Sequence, residues 1–92
     1  MSEFFVKYRS RTEITIAILE SARTGSTRTK ILYNAYLSYL QLMPYLKLLQ
    51  DSGLLEYEDT TQLYKVTDKG FKFLNMSNDL NRLMISVEKQ SF

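Results

Sequence analysis

The sequence contains no cysteine and no histidine, and its 92 residues include a single proline. Without cysteine the chain forms no disulfide and offers no thiolate to a metal. Without histidine it lacks the commonest zinc ligand and the commonest acid–base catalyst near neutral pH. No paired carboxylates flank a recognisable pocket either. We therefore expect no catalytic residues, no metal, no cofactor and no small-molecule substrate, and these absences argue against an enzyme.

Long hydrophobic runs are also missing. The most apolar stretch, residues 36–49, is interrupted by polar residues and by Pro44, and it is shorter than the about 20 apolar residues that cross a bilayer. The first eleven residues combine an apolar triplet with charge and do not resemble a signal peptide. We expect a soluble cytoplasmic, nucleoid-associated protein that makes no contact with membranes.

Charge is distributed unevenly along the chain. The net charge is +2. Residues 1–47 carry seven basic and three acidic side chains, a balance of +4, whereas residues 48–92 carry five and seven, a balance of −2. A basic half favours a polyanionic partner. The alternative is a chance imbalance of solvated surface.

Capping signals predict two helices in the basic half. Ser10 and Glu13 have the spacing of a capping box, and apolar residues follow at helical spacing, which predicts a helix over residues 12–24 ended by Gly25. Ser26 or Thr27 then caps a short second helix that ends near residue 36.

A third helix follows directly. Ser38 and Gln41 repeat the capping-box spacing, and Gly53 ends the helix. Pro44 removes one hydrogen bond, so either the first turn of this helix is kinked or the regular helix begins later. We favour the kink, because Ser38 and Gln41 fit a cap. The apolar residues on one face of this helix are Leu42, Leu46 and Leu49.

The acidic half predicts a hairpin and a final helix. Residues 54–58 and 63–67 read as strands joined by a turn at 59–62, and Thr67 caps the last helix. The order of elements predicts a mainly α fold with a small β-hairpin: a winged helix-turn-helix of three helices and a two-stranded wing, followed by a C-terminal dimerisation helix. We divide the chain into a winged unit with a basic N-terminal arm, residues 1–70, and a C-terminal helix, residues 71–92.

Several segments, taken together in this order, resemble one known family. They are RSRTEI at 9–14, TKILY at 29–33, LSY at 37–39, GLLEY at 53–57 and YKVTDKG at 64–70. The resemblance is to the archaeal winged-helix group that contains the small ten-kilodalton a-type DNA-binding proteins and related regulators, some of them viral. It implies a winged-helix fold, binding of double-stranded DNA, a homodimer held by the C-terminal helix, and a thermophilic origin.

A helix-turn-helix reads bases with the start of its second helix. Gln41 has the groups to pair with adenine, although its alternative role is to cap Ser38. Met43 and Leu40 have the apolar surface to contact thymine methyl groups or, instead, another protein. The candidates for base contact are Ser38, Tyr39, Gln41, Met43 and Lys47.

Phosphate contacts require cations or helix-start donors. Two clusters in the basic half supply them, although each charge alone is also an ordinary solvated side chain. These phosphate candidates are Lys7, Arg9, Arg11, Thr27, Arg28, Thr29 and Lys30. The wing candidates are Thr60, Thr61, Gln62 and Lys65.

Apolar residues in the last helix recur at steps of three and four, a heptad pattern. They either close the core of the monomer or form a dimer interface. We favour the dimer, because the far end of the helix extends beyond its own domain, and we expect residues 4–6 to join the interface. The predicted interface residues are Phe73, Met76, Leu80, Leu83 and Val87.

These features together predict a dimeric transcriptional regulator that binds double-stranded DNA. One alternative is an architectural chromatin protein. Another is a winged-helix protein–protein module, favoured by the apolar third helix and by an acidic wing with Glu56, Glu58 and Asp59. Those three carboxylates have the chemistry to hold a hard cation, but such a group at a hairpin tip is usually a solvated turn.

Overall fold

Helix α1 starts at a reciprocal pair of hydrogen bonds. The computed structural model describes the backbone of residues 10–90 and the side chains of residues 10–85. Helix α1 spans Arg11–Ser21. The backbone N–H of Glu13 donates to Ser10 Oγ (3.1 Å), and the N–H of Ser10 donates to Glu13 Oε1 (2.9 Å). The predicted capping box is confirmed, whereas the predicted end of the helix at residue 24 is wrong.

The early end of α1 has a tertiary cause. Ser26 pairs with Tyr64 of the hairpin: the N–H of Ser26 donates to the Tyr64 carbonyl (2.9 Å), and the N–H of Tyr64 donates to the Ser26 carbonyl (2.8 Å). To reach this bridge the chain leaves the helix at Ser21 and turns through Gly25, whose φ of 93° suits glycine. The bridge ties the segment between the first two helices to the wing.

Helices α2 and α3 form the helix-turn-helix. Helix α2 spans Arg28–Ala35, and the hydroxyl of Thr27 caps it by accepting from the backbone N–H of the third helical residue (3.2 Å). Tyr36 ends it in the left-handed conformation, with φ at 56°. Helix α3 spans Tyr39–Asp51 and runs through Pro44. The kink predicted at this proline stays a prediction.

The wing is an antiparallel hairpin of β1, Leu55–Glu58, and β2, Leu63–Val66. Each strand is one residue shorter than predicted. Directly after β2, the hydroxyl of Thr67 makes two hydrogen bonds. It donates to the carbonyl of Gly53 (2.6 Å) and accepts from the N–H of Gly70 (3.1 Å). Thr67 therefore caps the final helix, as its position predicts.

Helix α4 spans Asp68–Gln90, and its first turns close the core. Helix α1 packs against α2 and α4, and α3 packs against β1. The apolar face predicted for the third helix is buried, which confirms its helical spacing. The buried apolar side chains are Ile18, Leu19, Ala22, Ile31, Ala35, Leu37, Leu42, Leu46, Leu49, Leu55, Tyr64, Val66 and Leu74.

Candidate nucleic-acid interface

Helix α3 has a buried side and an apolar exposed side. Leu42, Leu46 and Leu49 are at most 2% exposed. On the outer side Leu40 is 82% exposed and Leu48 is 58% exposed. We call the exposed apolar residues of this side, Leu40, Pro44 and Leu48, the α3 ridge.

The predicted base-contact residues sit at the start and middle of α3. Ser38 and Gln41 bond to each other: the N–H of Gln41 donates to Ser38 Oγ (3.2 Å), and the N–H of Ser38 donates to Gln41 Oε1 (2.9 Å). Met43 is half-buried and packs against the core. Lys47 is exposed and pairs with Asp51 (3.3 Å). The side-chain oxygens of the capping box are therefore already engaged within the fold.

Arg28 joins the starts of α2 and α3. Its guanidinium lies 5.8 Å from the centroid of the Tyr39 ring, and its Nη1 donates to the Tyr39 hydroxyl at 3.5 Å. Hydrogen bonding to Tyr64 raises the pKa of the Arg28 guanidinium above its ordinary value. The Nε atom of Arg28 is buried and has no hydrogen-bond partner. The Arg28 guanidinium thus interacts with two tyrosines, and Arg28 also lines a groove between α2 and the wing.

A groove separates the start of α2 from the wing. Its two sides carry hydroxyl groups, an amide and the Arg28 cation, and the rings of Tyr57 and Tyr64 lie 4.7 Å apart at its wall. The fold thereby brings together two predicted sets, the α2 start and the wing, that are about thirty residues apart in the chain. The two tyrosines of β1 and β2 were not predicted, because only the tertiary approach of α2 places them here. The groove is lined by Thr27, Arg28, Thr29, Tyr57, Thr61, Gln62 and Tyr64.

One of the three wing carboxylates, that of Glu58, is paired within the wing. Glu58 accepts a hydrogen bond from the Thr61 hydroxyl (2.5 Å) and lies 3.4 Å from Lys65 Nζ. The Thr61 bond, aided by Lys65, lowers the pKa of the Glu58 carboxyl. Thr60 and Gln62 are exposed at the turn, where Gln62 adopts a φ of 59°. Two of the four wing candidates are therefore engaged with a carboxylate.

Two further predicted phosphate contacts, Arg11 and Lys30, lie on α1 and α2. Arg11, the first residue of α1, lines a hollow with Pro44, Tyr45 and Leu48 of α3. Lys30 is exposed on α2. The predicted contacts Lys7 and Arg9, like residues 4–6, lie outside the described residues.

The predicted dimer stripe is exposed beyond the core. Phe73 is half-buried and packs against the core, whereas Met76, Leu80 and Leu83 are 71%, 59% and 65% exposed. Together with Ser77 and Thr12 they line a shallow apolar groove. The side chain of Val87 lies outside the described residues.

Two kinds of feature are not found in the described part of the chain. Residues 10–85 contain no group of three or more aspartate and glutamate side chains placed to hold a metal ion. None of the described helices combines the length and the apolarity needed to cross a membrane.

Solved structures share this architecture, and one of them does so along most of its length. It is Sso10a-2, a DNA-binding protein from Sulfolobus solfataricus, which matches with a TM-score of 0.75 and 22% sequence identity over 90% of each chain. At this identity the likeness shows the fold. No curated protein matches the chain significantly.

The family profile described as winged helix-turn-helix matches residues 8–85. This range includes both helices of the motif, the wing and most of α4. The predicted winged helix-turn-helix with a C-terminal helix is confirmed, as is the predicted resemblance to a winged-helix family. The dimerisation assigned to the C-terminal helix stays a prediction. The chain belongs to the winged helix-turn-helix family.

Proposed function

We propose that this protein binds double-stranded DNA as a homodimer and acts as a non-enzymatic transcriptional regulator associated with the nucleoid. The observation that carries the proposal is the continuity of α2, α3 and the wing: Arg28 touches Tyr39 of α3 and lines the groove shared with the wing. A duplex placed on this surface meets a helix start, a recognition helix and a hairpin at once. The similar fold of Sso10a-2, a DNA-binding protein, supports the proposal that this chain binds DNA.

The cations on this surface are assigned to phosphates. Lys30 is exposed, and no side chain is bonded to its ammonium among the described residues. Arg11 is exposed at the hollow beside α3, and Arg28 is half-buried and lines the groove between α2 and the wing. Backbone N–H groups at the start of α2, near Thr27 and Thr29, supply further donors. Lys7 and Arg9, which lie outside the described residues, are proposed as further phosphate contacts because of their charge.

The dimer is assigned to the apolar stripe of α4. Met76, Leu80 and Leu83 are exposed in the single chain, and an apolar helix face of this kind gains stability by burial against a second copy. A symmetric dimer places two α3 helices against one duplex and favours two half-sites about 34 Å apart. Phe73, Val87 and residues 4–6 complete the predicted interface.

An architectural chromatin protein is the second candidate. The side chains of Ser38 and Gln41 bond to each other, and Lys47 pairs with Asp51. This leaves α3 with few polar groups for reading bases, which favours coverage of DNA with little sequence preference. Footprinting separates the two: a regulator protects discrete palindromic sites, and a chromatin protein protects DNA continuously.

The proposal is tested by a salt titration of binding to a 30-bp duplex, followed by fluorescence anisotropy. The slope of log K against log salt is about −0.9 for each phosphate neutralised, and we expect roughly four or more. Lys30→Ala should lower the slope by about one contact per protomer, whereas Lys72→Ala, on exposed α4 surface, serves as the control and should not. Absence of binding at low salt to any duplex, including selected sequences, would instead favour the protein–protein module.

A further inference from the structure

The chemistry of the α3 ridge is unusual for a helix that faces DNA. Leu40, Pro44 and Leu48 are separated by four residues each and therefore form one row along the helix. All three are exposed, and Leu40 is the most exposed large apolar side chain of the described residues, at 82%. Removing these side chains from water lowers the free energy when they pack against apolar groups of a partner.

The polar groups beside the ridge are held by the protein itself. The capping box engages the side-chain oxygens of Ser38 and Gln41, and Lys47 is paired with Asp51 at 3.3 Å. Bidentate recognition of guanine requires an arginine or lysine fork, and the first two turns of α3 carry neither. The start of the helix thus offers apolar contact rather than donors to guanine.

Cations flank the ridge on both sides. Arg11 lies at the Leu48 and Tyr45 side, where it lines the same hollow. Arg28 lies at the opposite flank, against Tyr39. In the major groove the base edges form the floor and the phosphates of the two strands form the walls. An apolar row between two cations is complementary to a groove floor that carries methyl groups.

We infer that the α3 ridge recognises thymine methyl groups and that the protein prefers thymine-rich duplexes. This inference rests on the proposed binding of double-stranded DNA. Among the natural base pairs only A·T presents a methyl group in the major groove. Leu40 and Pro44, in the first half of the helix, reach the groove floor, and Leu48 contacts a methyl group further along the groove. The specificity is for the methyl group itself and not for a hydrogen-bonding edge.

The test compares two 30-bp duplexes of the same mixed A/T sequence, one with thymine and one with deoxyuridine throughout. The exchange removes the methyl groups and keeps the base pairing. We expect the full-length protein to bind the uracil duplex about fourfold more weakly for each methyl group that the ridge buries. A G·C-rich duplex that carries 5-methylcytosine should bind more tightly than its unmethylated form, because it presents the same methyl group in the same groove.

Variants locate the effect on α3. The triple variant Leu40→Ala, Pro44→Ala and Leu48→Ala should bring the ratio of thymine to uracil affinities close to one, and all three side chains are exposed, so the fold is retained. Lys30→Ala should weaken binding to both duplexes equally and leave the ratio unchanged.

Three outcomes overturn the inference. Equal affinity for the thymine and uracil duplexes, with salt-dependent binding intact, refutes methyl recognition and leaves the proposed function standing. A ratio that survives the triple variant places the recognition elsewhere than on the ridge. Failure to bind these duplexes or any other, selected sequences included, at low salt refutes the proposed function together with the inference, and points to a protein occupant of the ridge.

Discussion

Gly70 occupies a position where the fold leaves no room for a side chain. A Cβ atom there would lie 2.3 Å from the Leu54 carbonyl oxygen and 2.5 Å from Val66 Cγ1. Helix propensity alone favours alanine over glycine by about 1 kcal/mol. The contact with a backbone oxygen outweighs this gain, because a backbone atom cannot rotate away as a side chain can.

We predict that Gly70→Ala lowers the free energy of unfolding by about 1 kcal/mol or more. Urea unfolding followed by circular dichroism measures the change. Asn75→Ala, an exposed position on the same helix, is the matched control and should raise the free energy by about 0.5 kcal/mol. Equal gains for the two variants would show that the crowding at Gly70 is relieved at little cost.

Glu58 in the wing is a second residue whose contribution to stability depends on particular neighbours. The Thr61 hydroxyl, and after it Lys65, lower the pKa of its carboxyl in the folded protein. The ionised form is therefore favoured by folding. Its contribution to stability is complete above the ordinary pKa of about 4.3 and is lost as the pH falls through the lower folded value.

We predict that Thr61→Val raises the pKa of Glu58 towards its ordinary value, because the largest cause of the shift is removed. Carboxyl chemical shifts followed by NMR through an acid titration give the pKa directly. Lys65→Met should also raise it, since this variant removes both the charge of Lys65 and its hydrogen bond to Glu58. A Glu58 pKa unchanged in Thr61→Val would show that the hydroxyl is bonded elsewhere in solution.

At the scale of the element, helix α3 begins with a stabilising capping box and contains a destabilising proline in its interior. Pro44 lies six residues into the helix, where it has no N–H for the Leu40 carbonyl and its ring crowds that carbonyl. Such a proline costs about 3 kcal/mol in a regular helix. The capping box at Ser38 offsets part of this cost.

We predict that Pro44→Ala raises the free energy of unfolding by about 1–3 kcal/mol, while Ser38→Ala lowers it by about 1 kcal/mol. Urea unfolding measures both. Because Pro44 belongs to the α3 ridge, the more stable variant should also discriminate less between thymine and uracil duplexes. A proline variant that gains no stability would mean that the helix already relaxes around residue 44.

The elements differ in how far the sequence predicts them. Helix caps are local interactions between a hydroxyl and the residue three positions further along the chain. The starts at Ser10 and Ser38 therefore follow from the sequence, and the sequence placed the start of α2 at Ser26 or Thr27, of which Thr27 is the cap. The Ser26–Tyr64 bridge is a single pair with no periodicity, and it therefore escaped prediction and displaced the end of α1. The exposed row on α3 follows from helical spacing, but its flanking cations depend on how α1 and α2 pack.

At the scale of the whole molecule, the proposed functions assign the winged unit and the apolar stripe of α4 to different contacts. The cations and α3 lie within residues 11–51, whereas Met76, Leu80 and Leu83 lie on the part of α4 that continues past the core. A contact through α4 therefore doubles the DNA-binding surface without covering it. The salt dependence of binding should then reflect two winged units.

The dimer gives the last prediction. In Leu80→Asp combined with Leu83→Asp, two carboxylates replace the centre of the stripe, and burial of unpaired charge opposes association. We expect the wild-type chain to elute as a dimer at micromolar concentration with light scattering, and the double variant as a monomer. Ile85→Asp, about 200° around the helix from Leu83 and 52% exposed, is the control and should remain dimeric.

Loss of the dimer must also change DNA binding if the two winged units act together. The monomeric variant should show about half the salt slope per bound particle and no preference for half-sites about 34 Å apart. Its affinity for each half-site alone should remain, because no residue of the basic surface is altered. A wild-type chain that is monomeric, or a double variant that keeps the palindrome preference, would show that α4 is not the interface and that the stripe contacts something other than a second copy.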